Sequence, residues 1–503
     1  GSMRTRAQSV VVVAALVFGA SGAVQAQGFG RAVEDFENLG ALGAGVAAQG
    51  AEVLVKKVFA DGPAAKAGLV AGDVIVKAGG RALQASAGQI PGPVLQVVAE
   101  IERAEAARKK PAVVLVVRRG GSEKEIKVPV QKLGKHAKSC PKKCKKCTQI
   151  LKAGVAFLVR TQGSNGEFST DLGGKTGKVV VTALGGLALL SAGISPAKNS
   201  PLDRAANYVL TRAGKADTSP LAGAMGGGGR GNWNQVNWEL SYALMFMAEM
   251  GRKTKRPEFK AKCAELVKIL NVNQEGSGGW AHGPGGPNAL GYLELEIVSN
   301  YALLGMGAAQ KLGLELDEEK VGKAMAWIEK TTSGNGGIGY SDRSGQKGHG
   351  DPGRTAGALL AAKALGQTGK FYGKMAGFFQ GNMAKLKDGH VSPAMHLLAG
   401  AMAAKMLGGK VWKQYMSLFR LHIMGVRKPD GSFAGTPTQE SRSMRNNTDL
   451  TVGPRWLTAT YVLILSLDNG NLPYLLGGKG GKKSGKKRIK ARVKTGGSTK
   501  YGR

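Results

Sequence analysis

The chain has 503 residues, 71 Lys and Arg against 34 Asp and Glu (a formal net charge of +37), and 78 glycines. That length exceeds what a single core fills, so more than one domain is expected, and glycine without a three-residue period excludes a collagen-like chain. So positive a surface attracts polyanions, whether nucleic acid, anionic polysaccharide or acidic lipid, through forces that salt screens.

Gly1-Ser2 ahead of Met3 is set aside as a cloning remnant or upstream read-through. Arg4 and Arg6 precede an apolar run at 10–18, too short to span a bilayer, and Val24-Gln25-Ala26 offers the small residues signal peptidase needs. Residues 3–26 therefore read as a secretory signal peptide. The mature protein is expected from about Gln27, periplasmic or extracellular, with no transmembrane segment.

Residues 37–133 form the first expected domain. Val53-Leu-Val-Lys-Lys-Val58 alternates like a strand, 93–107 is helical in pattern, and 111–117 and 125–130 make two closing strands. The segment Asp61-Gly-Pro-Ala-Ala-Lys-Ala-Gly-Leu-Val-Ala-Gly-Asp-Val-Ile-Val76 resembles the bacterial PDZ family of the kind appended to HtrA-type proteases. The resemblance implies a site for the C-terminal carboxylate of a peptide on backbone N–H groups of Leu39, Gly40, Ala41, Leu42, Gly43, Gly45 and Val46. The peptide would add as an extra strand, and the helix near 94–101 would line its side-chain pocket. Because Leu-Gly-Ala is repeated, which copy forms the carboxylate loop stays open.

A lysine-rich linker, 134–147, carries His136, Cys140, Cys144 and Cys147; the fourth cysteine, Cys263, lies more than a hundred residues on. Two readings compete. Thiolates and imidazole could surround zinc. An exported chain with an even cysteine count is instead expected to be oxidised, giving two disulfides, one of them reaching Cys263. The C-x3-C-x2-C spacing is not a standard pair of zinc knuckles, and the disulfides are favoured.

From 148 to 476 the chain reads as six helix pairs: 150–159 with 179–192, 205–212 with 238–250, 261–270 with 290–311, 318–330 with 355–365, 371–386 with 392–407, and 411–422 with 455–467. In each pair one helix is rich in Ala, Gly and Leu, which suits a crowded inner ring. Glycine-rich loops recur ahead of the second helices, at 275–285, 333–354 and 429–436. Gln162-Gly-Ser-Asn-Gly-Glu-Phe168 and Gln274-Glu-Gly-Ser-Gly-Gly-Trp280 are similar to the Gln…Gly…Trp turns of the α/α-toroid superfamily of prenyltransferases and squalene-type cyclases, with Phe168 in place of the first Trp. The expected fold is thus multidomain: a small α+β PDZ domain, then an all-α (α/α)6 toroid. The last segment, 477–503, holds eleven Lys and Arg with almost no apolar residues and is expected to be a disordered arm.

The superfamily's chemistry is not carried over. There is no Asp-x-Asp-Asp acid motif, no Cys-Gly-Glu-Gln thioester and no adjacent Cys-His zinc pair. Nor is there a G-x-S-x-G, an H-E-x-x-H or a P-loop. The pairing of signal peptide, PDZ domain and toroid resembles an exported bacterial family without known activity.

Candidate chemistry concentrates in the loops entering the inner helices. His349 with Asp351 is an expected acid–base pair, with Arg354, His390, His396 and Tyr292 as further catalytic candidates. Arg442, Arg445 and Arg455 are expected to hold an anion. His282, His349, Asp351 and His390 are a weaker candidate metal set. Glu294 and Glu296, two apart on a helix, cannot share a face, so at most one points inward. Alternatively these groups cap helices and stitch loops, Asp351 being well placed as an N-cap.

Two functions follow. One is an exported adaptor that binds C-terminal peptide segments and engages anionic envelope or extracellular polymers, nucleic acid being an unlikely partner. The other is a toroid-cavity hydrolase or lyase acting on an anionic polysaccharide. No cofactor is required by either.

Overall fold

The computed structural model describes residues 35–88, 90–170, 174–215, 235–283, 293–343, 348, 350–444 and 447–477. The expected signal peptide, Tyr292, His349, Arg445 and the basic arm from 478 lie outside the described residues.

The N-terminal domain is a seven-stranded sheet ordered β1-β2-β3-β4-β6-β7, with β5 beside β4. β1 is Glu37–Leu39, β2 Ala44–Gln49, β3 Glu52–Val58, β4 Val74–Ala78, β5 Arg81–Ala82, β6 Ala112–Arg119 and β7 Ser122–Pro129. Short α1 (Pro63–Lys66) and the long α2 (Pro93–Glu105) complete it. Alternation in β3 and β6 buries Val53, Val55, Val113, Leu115 and Val117, against which α2 lays Val94, Val97, Val98 and Ile101. At the Gly72-Asp73 turn the fully buried Asp73 carboxylate accepts from Val70 N at 3.0 Å and from Arg119 Nε and Nη2, at 2.6 and 2.7 Å. That pairing holds the start of β4 to the end of β6.

Among the described residues, twelve helices make the ring. The outer ones are α3 (Lys145–Thr161), α5 (Pro201–Arg212), α7 (Pro257–Asn273), α9 (Glu318–Thr331), α11 (Lys370–Asn382) and α13 (Gly409–Gly425). The inner ones are α4 (Gly174–Ala192), α6 (Val236–Thr254), α8 (Glu296–Lys311), α10 (Pro352–Ala364), α12 (Pro393–Leu407) and α16 (Pro454–Ser466). Each inner helix packs on the next, and α16 packs back on α4, so the circle closes. The expected pairs are the observed pairs, with two departures: the helix read over 290–311 begins at Glu296, leaving Glu294 ahead of it, and the helix read over 371–386 ends at Asn382 and continues as a 3-10 turn, Met383–Asp388. Two short helices, α14 (Gln439–Met444) and α15 (Thr448–Val452), precede α16. No described helix is long and apolar enough to cross a membrane.

Among the described residues, one device joins outer to inner helices four times. Gly166, Gly278, Gly336 and Gly431 have φ of +92°, +101°, +92° and +86°. A Cβ there would come within 2.2–2.4 Å of a backbone carbonyl oxygen in the next outer helix, at Arg204, Lys323, Lys374 and Ala153 respectively. Two residues later the N–H of Phe168, Trp280, Ile338 or Phe433 donates to a hydroxyl on the inner helix, from Thr182, Ser299, Thr355 or Thr458. Gln162 and Gln274 each donate to their loop's glycine carbonyl and to a first-turn carbonyl of the following outer helix, Pro201 or Lys320. The fourth copy, through Gly431 and Ala153, ties the last repeat to the first. Arg455 reinforces this seam by donating to the carbonyls of Thr161 and Ser169.

Candidate functional site

The first turns of the inner helices gather at one mouth of the ring. Asp351 caps α10, accepting from Arg354 N at 2.8 Å, and its Oδ1 lies 3.1 Å from His396 Nδ1 in the first turn of α12. Burial opposes charge on Asp351, yet His396 and Arg354 hold its carboxyl well below the usual range. His396 is only 1% exposed, slotted between Gly353 and Gly389, where a Cβ would come 2.2 and 2.3 Å from its ring. The histidine is sealed, and Asp351 is partly exposed.

A second pair is open. His390 Nδ1 lies 2.6 Å from Glu440 Oε1 in α14, with side chains 29% and 37% exposed. The hydrogen bond from His390 holds Glu440 below the ordinary carboxylate range. The Tyr340 ring meets His390 edge-on, centroids 5.4 Å apart, and carries the Arg354 guanidinium 4.8 Å above its face. Tyr340 O accepts from the Glu296 amide. Of the two glutamates on that segment, Glu296 is the inward one, fully buried; burial pushes its carboxyl well above the usual value. Glu294 instead accepts from Ser277 Oγ.

Toward the ring centre, aromatic side chains fill the space. Tyr242 stacks on Tyr301 at 5.1 Å and meets Trp456 at 5.8 Å, while Trp238 lies 5.8 Å from Tyr301. Trp238 Nε1 donates to His282 Nδ1 at 2.9 Å, and burial pushes His282 down to about 4, leaving it neutral. Asp449 is buried among donors, accepting from Ser392 Oγ, Ala394 N and Trp456 Nε1.

Several expected roles change here. Arg442 is paired with Asp35 at 2.8 Å on the surface, and Arg455 donates to two carbonyls at the ring seam. His282, Asp351 and His390 each have a different partner and make no common ligand group. Tyr340 and Glu440 went unread, because their contacts to His390 lie 50 residues away in either direction and leave no local pattern.

The linker also departs from expectation. All four cysteines are free, and Cys263 is buried in α7, its thiol pushed up to about 12 by desolvation. The even-count argument cannot see that Cys263 is core. Instead, His136 Nδ1 lies 3.5 Å from each Sγ of Cys140, Cys144 and Cys147. Cys144 N-caps α3, and the four ligand atoms lie within 4.8 Å of one another.

The expected peptide site is covered. β1 pairs antiparallel with β2, Leu39 opposite Ala44, Asn38 opposite Gly45 and Glu37 opposite Val46, taking the edge a peptide would use. Leu39, Gly40, Leu42, Gly43, Gly45 and Val46 are buried and Ala41 half-buried. A Cβ on Gly40 would meet Arg427 O at 2.3 Å, and Asn38 Nδ2 donates to Gly435 O at 3.2 Å, so the loop sits on the ring. Glu37 is also beside Arg442 and Lys387, although burial dominates and raises its carboxyl.

Residues 40–130 match the PDZ domain family, and residues 147–472 match the family described as "Domain of unknown function (DUF6288)". The chain belongs to this family. No curated protein matches the chain. Among solved structures, an inactive variant of the α-1,6-mannanase GH76A of Salegentibacter sp. HEL1_6 is similar at 10% identity over 65% of this chain and 99% of that one, TM-score 0.48. The type II terpene cyclase MstE from Scytonema is similar at 16% identity, over 65% and 98%, TM-score 0.41. Cellobiose 2-epimerase from Bacillus thermoamylovorans B4167 is similar at 12% identity, over 64% and 99%, TM-score 0.46. The PDZ–toroid architecture of this DUF6288 chain is carried by its own strand order and ring packing.

Proposed function

We propose that the mouth of the ring is an acid–base site for an anionic polysaccharide, of the hydrolase or lyase kind, in an exported protein. The observation that carries this reading is the contiguous, solvent-reaching group Tyr340, Arg354, His390 and Glu440. His390, oriented by Glu440, can take or give a proton; Arg354 can pair with a substrate carboxylate; the Tyr340 edge can meet a sugar ring. In a lyase, His390 would take the proton beside the carboxylate, those C–H electrons would form the double bond as the adjacent glycosidic C–O bond breaks, and the departing oxygen would take a proton from water. Behind this group lies Glu296, whose amide holds the Tyr340 carbonyl and whose carboxyl burial pushes well above its usual value. The +37 charge favours the encounter with such a polymer.

The test is turnover of uronate polymers, read as absorbance of the unsaturated product for a lyase and as reducing ends for a hydrolase. His390→Ala should lower kcat and Arg354→Ala should raise KM. If wild type neither binds nor cleaves any acidic glycan, the reading fails.

The PDZ match supports a second reading, peptide capture by an adaptor. It requires a peptide to displace β1, which has only three paired residues. Calorimetry with C-terminal peptides and their amides decides it: equal binding of both forms, or none, removes the carboxylate site.

A further inference from the structure

We infer that His136, Cys140, Cys144 and Cys147 form a zinc site, and that the ion clamps the PDZ domain onto the ring. A tetrahedral zinc with three thiolates and one imidazole places the nitrogen about 3.5 Å from each sulfur and the sulfurs about 3.8 Å apart. His136 Nδ1 meets that distance to all three sulfurs at once. Cys140 and Cys147 Sγ are 3.0 Å apart, too far for a bond between them and closer than two liganding sulfurs settle, so an ion would spread them slightly. The ligand chemistry, three thiols and an imidazole without a carboxylate, selects zinc over magnesium, calcium or manganese. Four protein ligands leave no open position, so the site is structural.

The second nitrogen of His136 points away from the cluster, at Glu102 Oε1 on α2 of the PDZ domain, 2.5 Å away. A carboxylate behind a ligating histidine fixes its tautomer and ring orientation. Glu102 is also 3.6 Å from both Arg420 in α13 and Lys146 in α3. One turn on, Glu105 is fully buried between Lys146, at 2.7 Å, and Arg427. The ligands therefore sit where α2, α3 and α13 converge. An ion bound there cross-links the linker to the first ring helix and, through His136, to the PDZ helix.

The full chain, purified without chelator or reductant, should contain stoichiometric zinc and yield four titratable thiols once denatured. Cobalt exchanged for zinc should give intense thiolate charge-transfer absorption and tetrahedral ligand-field bands. Cys144→Ser should lose the metal. Glu102→Gln should keep it with affinity weakened roughly 10–100-fold and the ring's circular dichroism unchanged. Should Cys144→Ser fail to fold, the cobalt spectrum of the wild type still decides ligation. Fewer than four thiols, or four thiols without metal, would overturn the site. Chelation should raise amide exchange in α2 and the linker while the inner helices stay protected; unchanged exchange would overturn the clamp.

Discussion

His422 lies near the end of α13 with Nε2 3.2 Å from the buried Tyr461 hydroxyl, and burial pushes its pKa down to about 4. In the unfolded chain the imidazole takes a proton near the ordinary value of about 6.5. Between these values the unfolded state binds more protons, so stability held above pH 6.5 is lost as pH falls toward 4. His422→Gln cannot charge and escapes that loss. Its deficit against wild type, measured by urea unfolding at several pH values, should narrow by up to about 1.4 kcal/mol per unit in this window. A deficit independent of pH would show that His422 stays solvated. The same scale explains what was hidden at His396: a histidine in an apolar helix reads equally as core or catalyst. Only the glycines at 353 and 389, far apart in sequence, show that it is sealed.

At the level of elements, the loop glycines and the outer-helix glycines look alike in composition and behave oppositely. Gly278→Ala forces a Cβ against the Lys323 carbonyl at φ +101° and should cost about 1–3 kcal/mol. Gly377, exposed on α11 with nothing within 4 Å of a Cβ, should gain up to about 1 kcal/mol as Ala. Thermal midpoints of the two variants should move in opposite directions; a shared direction would mean the loops yield easily. Much of the ring was legible because its grammar is local: helical periodicity, small residues on inner helices, and a glycine two residues before the residue that docks on the inner helix. β1 was not legible, since Glu37-Asn38-Leu39 is too short for an alternation to register. The cysteine cluster was visible as a zinc alternative but lost to a counting argument, which carries no information about where Cys263 is buried. Glu102, Arg427 and Glu440 act across 34 to 322 residues, where periodicity has nothing to say.

For the whole molecule, the PDZ domain is part of the ring's architecture. Val98 of α2 meets Gly425 at the end of α13, and Arg427 beyond it pairs with Glu105. Arg427→Met leaves Glu105 buried with Lys146 alone and should cost about 3–5 kcal/mol. Adding Glu105→Leu and Lys146→Met together should recover part of that loss, because no charge of the buried group is then stranded. Equal stability of the single and triple variants would indicate that water reaches Glu105. Such coupling predicts one unfolding transition for both domains instead of two.

The seam at Arg455 has a further consequence for how the chain is made. A linear helical array gains stability repeat by repeat through nearest-neighbour interfaces and can grow or shrink between its polar end caps. Here α3, first of the ring helices, meets its closing neighbours only after some three hundred further residues, α16 through Val462 against Gly154 and the loop after α13 through Gly431 against Ala153. Every shorter chain is an open arc with an apolar flank at each end, so a truncation at any repeat boundary yields a sticky fragment rather than a smaller ring.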